Sequence, residues 1–188
     1  MDFLLNLILG ICLSATSGFR IFVPFLFISF ASLNGDLTLS EGFTWIATYP
    51  ALIIFFVLTI AEIIGYYNPW IDSALDLLTT SLSLFSGLLI VRVFIIDANP
   101  FFAWGISLVI GITVALTVQF LTDKARTLTA YFKSGYGNPI VSTAELFFAI
   151  LFSVLTIYVN PILSFILLII TITSLYIMVF KERRRQGM

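Results

Sequence analysis

The chain has 188 residues, of which 60% are hydrophobic and only 10% charged, with a mean hydropathy of +1.12. A soluble domain carries about 25% charged residues, so these proportions exclude a water-facing surface over most of the chain and predict an integral membrane protein. Nine Lys and Arg against ten Asp and Glu leave a net charge of −1, and no nucleic-acid partner is expected.

There is no His, and Cys12 is the single cysteine. The commonest transition-metal ligand and the usual neutral-pH acid–base group are both absent. Zinc, haem and Ser-His-Asp chemistry are therefore poor candidates, no disulfide within the chain can form, and no cofactor is expected.

Taken in order, the first apolar run covers 3–33. Its opening, "MDFLLNLILGI", lacks the basic stretch and small-residue cleavage site of a signal peptide, and it reads as a membrane segment. Thirty-one helical residues would extend about 45 Å, against a bilayer core of about 30 Å. The run also contains "SATSGFR" (14–20) and Pro24, so a kinked, strongly tilted or broken first helix is expected in preference to a re-entrant hairpin. Five further runs of crossing length follow, at 43–66, 71–96, 101–122, 139–159 and 161–180. The prediction is an all-α, polytopic membrane bundle of about six transmembrane helices, with one domain over 1–180 and a basic tail over 181–188.

Seven of the nine basic residues lie in two segments: Lys124, Arg126 and Lys133, then Lys181, Arg183, Arg184 and Arg185. Six crossings put both segments and both termini on one side, which the positive-inside rule makes cytoplasmic. Asp36, Glu41 and Asp97 then face outward. The "KERRR" tail is a topology signal, and its sharper reading is contact with anionic membrane lipid.

The third and fifth spans open on related phrases, "NPWIDSALD" (68–76) and "GNPIVSTAE" (137–145). Asn is a good N-cap, and Pro is favoured at the first helical position. Ser73 with Asp76, and Ser142 with Glu145, have capping-box spacing, or else place two polar groups on one helix face. This admits an internal repeat of parallel helices. A weaker echo links "ILGICLSATSGF" (8–19) to "VIGITVALTVQF" (109–120), whose spans would be antiparallel.

Glu62, Asp72, Asp76 and Glu145 all fall in the membrane third nearest the basic loops. A charge at the bilayer centre costs about 2.5–3.5 kcal/mol on insertion scales, so such groups face the bundle interior or water. With Asn68, Ser73, Asn138 and Ser142 they form a hard oxygen set suited to protons, Na⁺, Mg²⁺ or Ca²⁺. Salt bridging to Lys124 or Arg126 is the rival reading. Arg92 is expected to snorkel or pair with Asp97. Arg20, behind the break at Ser17, Gly18 and Pro24, is read as an interhelical salt bridge or as an anion or headgroup contact.

The pieces "ATSGFRIFVPFL" (15–26), Glu62 ahead of "NPWIDSALD", and "GNPIVSTAE" together resemble the bacterial membrane family known as domain of unknown function 4126. The chain departs from it in being richer in Phe and in having "YYN" before the first Pro. The resemblance implies a compact polytopic fold in the bacterial inner membrane and brings no established activity. The family's recurring polar positions fall on Ser17, Gly18, Arg20, Pro24, Glu62, Asp72, Ser73, Asp76, Asn138, Pro139, Ser142 and Glu145.

The expected function is a small transporter or channel, homodimeric, for a cation or a proton-coupled solute moving past the carboxylate and Asn-Pro layer. The alternative is a non-transporting scaffold or lipid- and partner-binding protein, with the same charges closed into salt bridges and a small-residue groove (Ser14, Ala15, Ser17, Gly18) docking another helix. Lipid-phosphate enzymology through Arg20, Asp72 and Asp76 ranks last.

Overall fold

The computed structural model describes the chain apart from 1–2, 68, 97, 133–136 and 187–188 and the side chains of 66–78, 128–140 and 182–186. Among the described residues every regular element is helical: α1 (Phe3–Ser17), α2 (Phe22–Leu33), α3 (Tyr49–Tyr67), α4 (Pro69–Phe94), α5 (Pro100–Ile106), α6 (Ile112–Phe132), α7 (Gly137–Val154) and α8 (Pro161–Gln186). A π turn at Ser107–Gly111 joins α5 to α6, and another at Leu155–Val159 extends α7.

Among the described residues three stretches, Pro100–Thr127, Val141–Val159 and Pro161–Lys181, are long and apolar enough to cross a membrane, and four shorter helical stretches are also apolar. The side chains are sorted as a membrane requires. Phe101 is 85% exposed and Leu4 68%, while Ser14, Thr16, Ser17, Ser83 and Ser107 are buried. Lipid tails are as apolar as Leu, so helices associate through close approach and small residues rather than through exclusion of water. Gly87 of α4 and Gly111 of the π turn meet backbone to backbone, leaving no room for a Cβ on either. At Gly18 a Cβ would lie 2.5 Å from the Ala115 carbonyl oxygen and 2.7 Å from Val118 Cβ.

The first run is broken, at 18–21. The amides of Gly18 and Phe19 turn back onto the carbonyls of Ala15 and Thr16, closing α1. Pro24 then sits in the first turn of α2, where its missing N–H removes no intrahelical bond. Contacts fix the direction of the two halves. Gly10 lies against Val91 and Phe94 at the C-terminal end of α4, and Ser14 donates to the Gly111 carbonyl. Arg20 at the break reaches Ser142 near the start of α7. α2 then returns, from Phe22 beside Glu62, through Phe25 stacked on Phe55, to Ser29 bonded to the Ile46 carbonyl.

The halves therefore run antiparallel and form the re-entrant hairpin, the less expected of the two forms. Two short helices of 15 and 12 residues with a tight turn between them reach only part of the way through the bundle. The start of α1 lies at the end that holds 34–48, opposite the basic tail of α8, whereas a single crossing would have put them together. The same geometry makes α1 parallel to α6, so the echo between 8–19 and 109–120 relates parallel helices, not antiparallel ones.

Arg92 lies over the neighbouring rings of Phe43 and Trp104, at 5.6 and 5.5 Å from their centres. It donates to Ser40 Oγ at 3.1 Å and to the Ile95 carbonyl at 3.0 Å. Its expected partner, Asp97, lies outside the described residues.

Candidate functional site

The chain's interior polar centre forms around the tip of the α1–α2 hairpin. Because the tip stops inside the bundle, the opening amides of α2 would meet no water there. Glu62 on α3 supplies the missing acceptors: Oε1 receives the Ile21 amide at 2.9 Å and Oε2 the Phe22 amide at 3.2 Å. A carboxylate at a helix N-terminus also complements the helix dipole. Glu62 thus caps a helix from another element, a role no local spacing encodes.

Arg20, 1% exposed, turns from the same tip toward α7. Its Nη2 donates to the Ser142 carbonyl at 2.9 Å and to Ser142 Oγ, and lies 3.8 Å from Glu145 Oε2. Glu145 is held in turn by Arg126 of α6, whose Nε donates to Oε1 at 2.8 Å and whose Nη2 bonds Oε2. This fork is the planar two-bond geometry that guanidinium and carboxylate favour. Arg20 also interacts electrostatically with Glu62. The result is an alternating row, Arg126, Glu145, Arg20, Glu62, that joins α6, α7, the hairpin and α3.

α7 begins at Gly137, so Ser142 and Glu145 are interior helix positions rather than a capping box. Of the two readings of their spacing, the shared face holds, and both point at Arg20. Asn68, Asp72, Ser73, Asp76 and Asn138 lie outside the described residues or side chains. Ser17 and Gly18 shape the break and Pro24 opens α2. Ser17 Oγ donates back to the Ser14 carbonyl at 2.7 Å.

Two further Asn-Pro pairs, Asn99-Pro100 and Asn160-Pro161, also open helices, and the dipeptide itself is their sequence signal. Asn99 accepts the Phe101 amide at 3.0 Å ahead of Pro100. Asn160 accepts the amides of Ile162 and Leu163 at 2.8 and 3.3 Å ahead of Pro161. Where its side chain is described, Asn before Pro caps a helix.

Beside Glu62, between the tip of α2 and the facing parts of α3 and α4, lies a cavity of about 550 Å³. Ile21, Phe22, Leu58, Ala61 and Leu82 wall it, and Glu62 and Thr79 are its polar members. Among the described residues no group of three carboxylates or thiols comes together as metal ligands.

The fold and this buried row of charge define an all-helical membrane protein built around a re-entrant hairpin. A family model described as Domain of unknown function (DUF4126) matches residues 7–181, and the chain belongs to that family. Neither the curated proteins nor the solved structures give a match.

Proposed function

We propose that the protein is a small transporter or channel in the bacterial inner membrane, in which protonation of Glu62 is coupled to passage of a small solute. One observation carries this reading. A titratable carboxylate borders an almost wholly apolar cavity while holding the N-terminus of a half-helix inside the bundle. Half-helices that end at depth, with their termini aimed at a site, are the recurring device of secondary transporters. A proton on Glu62 would remove acceptor capacity from the tip of α2 and so couple charge to the position of the hairpin.

A metal cation is the weaker passenger. Glu145 is engaged by two guanidinium groups and Glu62 by two amides, so neither carboxylate offers a full charge to a bare ion. The positive-inside rule assigns the end holding Lys124, Arg126 and Lys181 to the cytoplasm, and the start of α1 then faces outward. A homodimer remains part of the proposal.

The test is flux into vesicles containing the purified full chain, read with a pH dye and with Na⁺ and K⁺ indicators. Proton flux in the wild type that is lost in a folded Glu62→Gln variant, and kept in part by Glu62→Asp, is expected. No flux of any ion from a folded wild type would favour the second reading, a scaffold. That reading draws support from the closed row Arg126, Glu145, Arg20. Its expected docking groove is not available, because Ser14, Ala15 and Ser17 are wholly buried within the chain.

A further inference from the structure

A groove of about 620 Å³ follows the outer seam between α6 and α8, lined by Leu116, Thr117, Phe120, Ile172, Tyr176 and Phe180 among others. Its threonine hydroxyls are already satisfied along their own helices, and Tyr176 adds one phenol hydroxyl. Thr113 and Thr117 donate to the carbonyls of Val109 and Thr113 at 2.6 and 2.7 Å, and Thr173 to that of Ile169 at 2.7 Å. The slot therefore asks little that is polar of its occupant.

Its end toward the basic side of the bundle is different. Lys124, one turn past Phe120, holds its ammonium 5.4 Å from the centre of that ring. Lys181 directly follows Phe180, and both lysines are exposed. The neighbouring acid, Asp123, accepts from Gln119 of its own helix at 3.1 Å. In sequence, Arg183, Arg184 and Arg185 come next.

We propose that this groove binds one anionic phospholipid, its acyl chain along α6 and α8 and its phosphate at Lys124 and Lys181. A largely apolar slot, with the Lys124 ammonium over Phe120 at its headgroup end and exposed Lys181 one residue past Phe180, is the complement of such a molecule. A second copy of the chain fits less well. A two-fold seam along this groove would bring two copies of Lys124 and Lys181 together, like charge against like. The inference does not depend on transport and stands or falls apart from it.

The experiment incorporates the full chain into vesicles of phosphatidylcholine with phosphatidylglycerol, extracts it gently, and weighs the complexes by native mass spectrometry. The wild type is expected to retain phosphatidylglycerol in preference to phosphatidylcholine. Lys124→Ala/Lys181→Ala lowers that retention roughly tenfold or more, the scale of two lysine contacts at an anionic surface. Lys124→Arg/Lys181→Arg keeps it, which separates lost charge from lost folding. Thr117→Trp, with both lysines intact, fills the slot and releases the lipid. Equal retention of the two lipids by the wild type, or a preference unchanged by the alanines, overturns the proposal. So does a Thr117→Trp protein that loses a dimer while keeping its lipid.

Discussion

At the scale of single residues, the Arg126–Glu145–Arg20 triad sets the strongest stability expectation. Removing one partner of a buried pair costs about 3–5 kcal/mol, because the other charge is left uncompensated, whereas replacing the whole group by apolar residues of similar size is often neutral. Glu145 faces two guanidinium groups at 3–4% exposure. Glu145→Gln is therefore expected to destabilise the fold by that amount, read as the midpoint of denaturant unfolding in lipid–detergent micelles. Arg126→Met joined to Glu145→Gln is expected to recover part of the loss, since one of the two stranded cations is gone. Additive losses would mean that the fork contributes nothing as a pair. Glu62, Ser142 and Glu145 were legible as members of one polar layer because burying charge in lipid is costly, whereas Arg20 was legible only on its own, as an interhelical salt bridge or an anion contact. Arg126 was legible only as a rival partner, since the helix faces that bring α6 onto α7 are not written in local spacing.

At the scale of elements, the hairpin depends on a cap supplied across space. Ile21, at the N-cap position of α2, has no side chain to hold the first amides, and Glu62 does so from α3. Substituting a capping group costs about 0.5–2 kcal/mol, so the effect should be local. In Glu62→Gln one amide oxygen remains as an acceptor but the charge facing the α2 dipole and Arg20 is lost. The expected result is faster hydrogen exchange at Ile21 and Phe22 with unchanged protection in α8. Equal protection in both proteins would show that water or another group replaces the carboxylate, and that Glu62 does not hold the tip. The break itself was readable from Ser17, Gly18 and Pro24, since small residues end a helix and Pro begins one. The fold-back was not, because a kinked crossing and a hairpin place the same residues at the same break. The difference lies in what Gly10, Ser14 and Gly18 approach, namely Val91, the Gly111 carbonyl and Ala115. Those are contacts between distant segments, and two of them depend on Gly87 and a π turn that no periodicity marks.

At the scale of the molecule, the hairpin decides the membrane topology. The loop at 34–48, residues 98–99 and the turn at 160 share one end of the bundle with the start of α1, and Lys124, Arg126 and Lys181 share the other. A single crossing by 3–33 would instead place the first residues beside the basic tail. The charge pattern alone could not separate these cases, because no Lys or Arg precedes Arg20 and the first segment carries no orienting charge of its own. Cysteine labelling does separate them. Leu4 is 68% exposed, and native Cys12 is buried and can be replaced by Ala. In the Cys12→Ala background, Leu4→Cys and Lys181→Cys are treated in intact cells with a membrane-impermeant maleimide, then again after permeabilisation. Leu4→Cys is expected to react in intact cells, and Lys181→Cys, at the opposite end of the bundle and exposed, only once the membrane is opened. The re-entrant arrangement requires opposite outcomes at the two positions whichever end faces the cytoplasm, so the test does not lean on the positive-inside rule. Matching reactivity at both positions would return the first run to a single crossing, detach Glu62 from the tip of α2, and remove the basis for coupling its protonation to the hairpin.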